Sequence, residues 1–434
     1  MKIEDGGYFD VIVAGAGSAG FCAAVQAGRA GLSVALFEHF SMPGGTLTVL
    51  GSNSIDQFNN PHRPVGDRMI ITGIGWEFCE ALARRGFATI PDMDAPYKVH
   101  WQYGVKVNPI AAAQLMDDFL LEANVHLFYR QAVVTVETTE TETETIVDSV
   151  IVTTKNGLVR HRAKIFIDCT GDGDICAWAG AKFHINETLQ PGTMRLYPGC
   201  FYGNSEKLVQ TDDIWRKLVS DTPSLKDFSM AGFQTILTQE GDNINHVCGL
   251  NSADSSSRTQ TEIISRRDQV HMLQALKEGG NPFKILGSAP ETAARESRRI
   301  IGDTIMTGQE YLEKYVYDDA VCYTYWFIDI HREGQPAEII YLQDEKTPTI
   351  PLSAMRPIRL KNVLVAGRCI SADRASSSAI RVKASCMAMG QAAAAAAVVA
   401  LQQGTNNVRK AHAEDVRKYL SDQGAIVPDK NNRR

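Results

Sequence analysis

The stretch Asp10–Glu38, DVIVAGAGSAGFCAAVQAGRAGLSVALFE, constrains the fold of this chain more than any other. Val11, Ile12 and Val13 form a short β-branched apolar run, the pattern of a strand buried on both faces. Gly15, Gly17 and Gly20 follow in the spacing GxGxxG. In a strand–turn–helix unit the first glycine makes the tight turn, the second lets backbone approach a pyrophosphate, and the third lets the helix pack on the sheet. The helix N-terminus then offers N–H groups and a positive dipole end to phosphates. Ser33–Phe37 reads as the second strand. Glu38 ends it, where an acidic side chain accepts hydrogen bonds from an adenosine ribose. Glutamate rather than a nearby arginine argues against a 2′-phosphate, so the expected ligand is FAD or NAD.

At 434 residues the chain has room for two or three domains. The net charge of -6 gives no case for a nucleic-acid partner. The N-terminus, MKIEDGGYFD, lacks a signal peptide's apolar core. The alanine-rich run Ala392–Ala400 reads as too short and too small-sided to cross a membrane. Nine cysteines lie scattered without a CxxC pair, which implies reduced thiols in a cytoplasmic protein, with neither a disulfide framework nor a metal site.

Directly after Glu38 and His39 comes Met42-Pro43-Gly44-Gly45-Thr46, whose glycine pair permits backbone to run close to a flat or charged group. Helices are expected from Gly73 to Arg85 and from Asn108, with Pro109 at the first helical position. His126–Tyr129, Ala132–Val136, Ile146–Thr154 and Leu158–Ile167 read as a meander of strands, the Thr/Glu run between them as a solvated hairpin. That meander feeds IDCTGDGD, a buried strand entering a Gly/Asp turn at Thr170, Gly171 and Asp172. Residues 190–350 differ in texture, with a loop over Asn251–Ser257 and a helix around Thr261–Glu278. Arg295, Arg298 and Arg299 are expected on one helical face. In the strand Tyr325–Arg332, Asp329 and His331 fall on one side. Asn362–Arg368, NVLVAGR, is another buried strand. A small-residue loop through Ser378 follows, then a long helix from Ala379 through Gln402 and a tail ending disordered at Lys430–Arg434.

The motifs VAGAGSAG…FE, PGGT, IDCTGDGD, RESRRIIG, NVLVAGR and RVKASCMAMGQAA fall in that order. Together they resemble the FAD-dependent oxidoreductase family of the glutathione-reductase-type two-dinucleotide-binding-domain flavoprotein fold. The nearest branch is that of the fumarate reductase and succinate dehydrogenase flavoproteins. The resemblance implies an α/β fold: a Rossmann-like FAD-binding domain with a β-meander (1–192 and 350–425), an inserted α+β substrate domain (193–349) and a flexible tail (426–434).

It also implies site residues. Gly15, Gly17, Ser18, Ala19 and Gly20 would cradle the pyrophosphate and Glu38 the ribose, with His39 beside it. Gly44, Gly45 and Thr46 would pass the phosphates, and Val133 or Val134 would contact adenine through backbone. Thr170, Gly171 and Asp172 would lie near the adenosine half, Gly367 and Arg368 near the ribityl chain. Ser378, Ala379 and Arg381, at the start of the last helix, would face the pyrimidine ring. His39 precedes the glycine pair, which argues for noncovalent FAD.

Departures from the family pattern are Ala394, where glycine is common, and Gly-Arg rather than Gly-Asp after Asn362. No second GxGxxG is present, so electrons must exchange with an outside acceptor or donor. The implied activity is hydride transfer between a small polar organic substrate and flavin N5. His331 is the candidate acid/base, and Arg298, Arg332 or Arg381 would hold a carboxylate or oxyanion. An alternative is a flavoprotein subunit passing electrons to a protein or quinone, and a third class is non-redox use of the fold. Ile339–Leu342 could join a homodimer.

Overall fold

A strand through the middle of a seven-stranded sheet, β1 (Ile3–Ala14), positions everything else in the nucleotide-binding half. The computed structural model describes residues 2–186, 192–195, 201–202, 216–217, 220–221, 243–278, 284–285, 289–332 and 337–429. After β1 come helix α1 (Ser18–Arg29), β2 (Val34–Glu38), α2 (Pro109–Glu122), β3 (His126–Tyr129), β4 (Val133–Glu140), β5 (Thr145–Thr154) and β6 (Gly157–Asp168). The long helix α3 (Ser255–Glu278) precedes a two-stranded ribbon, β7 (Ile328–Ile330) with β8 (Glu338–Ile340). β9 (Val363–Val365), α4 (Arg374–Ile380) and α5 (Lys383–Gln402) complete the core.

The sheet order is β3-β2-β1-β6-β5-β4, with β9 also beside β6. Val11 lies opposite Val34 of β2 and Ile165 of β6, both parallel. Parallel neighbours and helix-covered faces explain why Val11–Ala14 are all buried and apolar. β6 is long enough to serve two partners on its other edge: its first half pairs antiparallel with β5, its last residues parallel with β9. The fold is thus α/β with a parallel-rich sheet, as the sequence predicts.

α1 and α5 pack so closely that a Cβ on Gly390 would lie 1.9 Å from the Ala19 carbonyl oxygen. Ala392–Ala397 are fully buried around that crossing. α5 is in fact long and apolar enough to cross a membrane by length and composition, contrary to the expectation of a run too short, but 89% of its most apolar window is buried inside this fold.

The structure corrects the sequence reading elsewhere. His126–Tyr129 belongs to the parallel sheet rather than the meander, with His126 opposite Ala35. The expected single helix from Ala379 is two, broken at Arg381–Val382. Asp373 caps α4 by accepting from Ser376 N at 2.8 Å, and Val382 is extended (φ -65, ψ 152). α3 starts inside the expected loop, because Asp254 Oδ1 accepts from Ser257 N and opens the helix early. Residues 293–300 hold two short strands instead of a helix, so the three arginines there diverge. The start of the expected flexible tail is pinned: Thr72 Oγ1 donates to Gly424 O and accepts from Ile426 N. Lys430–Arg434 lie outside the described residues.

One core position is expected to respond to acid. His161 of β6 is 4% exposed among Phe9, Phe37 and Phe128, at ring-centroid distances of 6.1, 4.9 and 5.3 Å. Its Nδ1 has no hydrogen-bond partner, and burial lowers its pKa. Below about pH 6.5 the unfolded chain takes up this proton and the native state does not, so stability falls with falling pH. The expected loss is up to about 1.4 kcal/mol per pH unit. Urea unfolding at pH 7.5 and 5.5 checks this: His161→Leu narrows the difference, and an unchanged difference refutes it.

Candidate functional site

The carboxyl ends of β1, β2, β6 and β9 open into one cleft of about 1210 Å³. The glycine motif forms its first wall. Gly15 turns off β1 with φ +90, and a Cβ there would lie 2.4 Å from the Cys169 carbonyl oxygen. Gly17 is the N-cap of α1 and supplies no side-chain acceptor. A Cβ on Gly17 would meet nothing within 4 Å, so its backbone borders open cleft. Gly20 turns inward instead: its Cβ would lie 1.7 Å from Gly15 O, the close packing expected of the third glycine. Ser18, Ala19, Gly45 and Thr46 also line the cleft. Gly44 stands behind it, donating its N–H to Ala16 O at 2.7 Å.

Glu38 is buried at the end of β2. Oε2 accepts from Ala16 N at 2.7 Å and Oε1 from Phe40 N at 2.9 Å, while His39 Nδ1 sits 2.9 Å from Oε1. Burial raises the carboxyl's pKa, but the His39 bond and the two backbone N–H groups outweigh it and hold Glu38 below its usual range. The same contact raises His39 against its own desolvation. Val133 lines the cleft, whereas Val134 is 38% exposed and does not, as strand alternation requires.

Thr170, Gly171 and Asp172 form the turn after β6 and line the cleft with Gly367 and Arg368. Asp172 pairs with Arg368 at 2.7 Å and with Arg258 of α3 at 3.4 Å. Burial raises the Asp172 pKa, and the two guanidinium charges pull it below its ordinary value. Arg368 also donates to Ser297 Oγ at 2.7 Å. The open Gly17 backbone, the uncapped α1 N-terminus and the Glu38 carboxylate together fit the phosphate and ribose groups of a dinucleotide.

The other end of the cleft is charged. Asp329 of β7 accepts from Arg295 at 2.9 Å and Arg381 at 3.1 Å through Oδ2, and pairs with His331 Nε2 at 2.8 Å through Oδ1. Its backbone N–H donates to Ser378 Oγ at 3.0 Å. Burial alone would raise the Asp329 pKa, but the His331 hydrogen bond and both arginines hold it far below the carboxylate range. Arg381 is lowered to about 10, first by burial and then by the charge of Arg295. The contact with Oδ1 fixes the orientation of the His331 ring.

The structure brings His331, Arg381 and Ser378 together on the cleft wall. Ala379 is fully buried and does not line it. Arg298 does not line it either. Its guanidinium bonds Asp174 at 2.7 Å and the Asp172 carbonyl, and packs 5.5 Å from the Phe183 ring centre. Arg332 pairs with Glu338 at the surface. The sequence reading missed Arg258, which falls between its loop and its helix, and Lys383, whose Nζ donates to Ser52 Oγ at 2.5 Å. Arg258 carries no local motif that would have marked it, whereas Lys383 lies within the RVKASCMAMGQAA motif.

The sequence profile of the family described as FAD dependent oxidoreductase matches residues 10–420. No curated protein is significantly similar in sequence. Among solved structures, a geranylgeranyl bacteriochlorophyll reductase-like protein of Thermoplasma acidophilum is similar at 13% identity and TM-score 0.38, over 96% of this chain and 83% of that one. An anhydrotetracycline hydroxylase of Streptomyces rimosus is similar at 14% identity and TM-score 0.40, over 96% and 66%. The p-nitrophenol 4-monooxygenase of Pseudomonas putida is similar at 12% identity and TM-score 0.40, over 100% and 92%.

Proposed function

The chain belongs to the FAD dependent oxidoreductase family, and from that premise we propose that it transfers a hydride between a small polar organic substrate and FAD, with an external electron acceptor or donor. It is a redox enzyme whose cofactor is FAD. The reading is carried by one observation: the Arg295–Asp329–Arg381–His331 cluster shares a cleft with the glycine motif.

When bound, the isoalloxazine ring supplies the two-electron chemistry. The chain's own residues do the rest. Gly17 and the α1 N-terminus hold the pyrophosphate, and Glu38 the ribose. Asp329 fixes the His331 ring, and His331 moves the substrate proton. Arg295 and Arg381 hold an anionic group of the substrate. Arg298, outside the cleft, is left with a structural part. Residues 193–349 serve as the substrate-facing part, 1–192 and 350–425 as the cofactor-binding part.

Noncovalent attachment is supported by His39, which Glu38 already engages through Nδ1. A reducing, cytoplasmic setting is supported by the eight described cysteines, all free thiols. Kinship with the fumarate reductase branch rests on motif order. The sequence has one GxGxxG, which favours oxygen, a quinone or a protein as the other redox partner.

The test is the absorbance of the purified protein, followed by anaerobic incubation with a panel of small acids, alcohols and amines, and then by air. Bound flavin that bleaches with one of them supports the reading, and a protein that never binds flavin overturns it. Recovery within seconds of admitting air identifies oxygen as acceptor. With the reducing compound in hand, His331→Gln is expected to lower kcat by about 10²–10⁴ while the flavin spectrum stays unchanged. An unchanged kcat removes His331 from the proton-transfer role.

A further inference from the structure

We infer that Arg258 of α3, in the 193–349 part, is a ligand of the cofactor's diphosphate; this rests on the cofactor lying in the cleft as proposed above. The sheet order puts β1 between β2 and β6. The carboxyl end of β2 carries Glu38 and His39, that of β6 leads to Asp172, and the glycine motif leaves β1 between them. A row of charged side chains runs from one flank to the other. His39 Nε2 lies 4.0 Å from Glu291 Oε1, one Arg258 guanidinium nitrogen lies 3.4 Å from the same oxygen, and another lies 3.4 Å from Asp172 Oδ2. All four side chains line the cleft together with Gly15 and Gly17. The 193–349 part thus lays a guanidinium across the phosphate end of the cleft.

Charge and spacing point to what this guanidinium serves. A dinucleotide diphosphate brings negative charge that the N-terminus of α1, worth about half a positive charge, offsets only in part. The planar fork of an arginine matches phosphate oxygens in two-point geometry. Among the described arginines of the cleft, Arg295 and Arg381 pair with Asp329 at the other end. Arg368 is bound to Asp172 Oδ1 and to Ser297 Oγ, each at 2.7 Å. Arg258 is held differently, by two contacts of 3.4 Å on a side chain that is 41% exposed. Both contacts are longer than the roughly 2.7–2.9 Å of a close charged hydrogen bond. Asp172 already has Arg368 as its close partner. Burial keeps the Glu291 carboxyl above its ordinary pKa even with Arg258 and His39 beside it, which fits loose pairing. The fork is therefore placed to turn to phosphate oxygens at little cost to its present partners.

Dilution of the holoenzyme, read by the fluorescence of released FAD, tests this in the wild type, Arg258→Gln and Glu291→Gln; thermal midpoints at rising free FAD give an independent reading. Arg258→Gln is expected to weaken FAD binding by about tenfold or more, through loss of a charged hydrogen bond. Glu291→Gln is expected to bind FAD as tightly as the wild type or more tightly, because it removes a carboxylate that competes with the diphosphate for Arg258. A row of ion pairs that only held the structure together would be weakened by either change. A loss in Glu291→Gln matching that in Arg258→Gln therefore overturns the inference. Arg258→Lys, which keeps the charge, is expected to lie between Arg258→Gln and the wild type. Displacement of FAD by ADP and by adenosine locates the contact: Arg258→Gln is expected to weaken ADP and leave adenosine unchanged. Equal weakening of both would put Arg258 on the nucleoside and overturn the diphosphate. If the wild type binds FAD and Arg258→Gln binds it as tightly, the Arg258 assignment falls and the redox reading stands. If the wild type binds no FAD, the redox reading falls and takes this assignment with it.

Discussion

Alanine at Gly390 yields a protein that unfolds at lower urea and purifies without its flavin. The added Cβ would lie 1.9 Å from the Ala19 carbonyl oxygen and 2.6 Å from its carbon. Both are backbone atoms of the first turn of α1, and no rotamer change relieves such a clash. α1 and α5 must separate, at a cost of about 3 kcal/mol, the upper end for overpacking a core. The displaced residues, Ala19 with Gly17 and Ser18, are those that border the phosphate end of the cleft. Stability and flavin content therefore fall together. Ala394→Gly is the control: it weakens the same helix by about 1 kcal/mol through backbone entropy, and is expected to keep its flavin. Urea midpoints and the flavin-to-protein absorbance ratio measure both. Full flavin content in Gly390→Ala would show that the helix crossing does not position the cofactor.

Asp329→Asn is expected to be nearly as damaging, for an electrostatic reason. Asp329 pairs with Arg295, Arg381 and His331 in the cleft. Removing one member of a buried ion network leaves uncompensated charge and costs about 3 kcal/mol or more. Loss of the acceptor at Oδ1 also frees the His331 ring, so turnover is expected to drop by at least about 10². The pH dependence has a defined sign. Because the native pKa of Asp329 lies below its unfolded value, its contribution is fully present above about pH 4 and is lost as pH falls from there towards the native value. Wild-type stability should therefore fall more steeply than that of the variant on acidification below pH 4. Parallel acid-unfolding curves would mean that Asp329 does not carry the charge balance of the site.

The parts of this site that were legible in the sequence are those fixed by local backbone geometry. Gly15 must adopt positive φ and Gly20 must admit Gly15 O, so the motif reports its own structure. Asn108-Pro109 likewise announces a helix start, and Asn108 Oδ1 does accept from Ile110 N and Ala111 N. What depends on distant partners was not legible. Arg295 and Arg298 look alike in RESRRIIG, yet one meets Asp329, 34 positions on, and the other Asp174, 124 positions back. Alternation in β4 marks two faces without telling which one meets the cleft, so Val133 and Val134 were inseparable. The break at Arg381 carries neither glycine nor proline. It arises where Arg381 donates to Ser378 O, Arg295 O and Asp329, contacts that no local pattern announces.

The cleft draws its lining from Ala14 through to Cys386, so no short fragment of the chain carries the whole of it. FAD then binds the native state and not the unfolded one, and each tenfold rise in free FAD above its dissociation constant adds about 1.4 kcal/mol to stability. In a living cell the unfolded fraction is what proteases consume. The standing amount of this protein is thereby tied to the cell's riboflavin supply: a shortage of the vitamin lowers the number of chains as well as the fraction that are active.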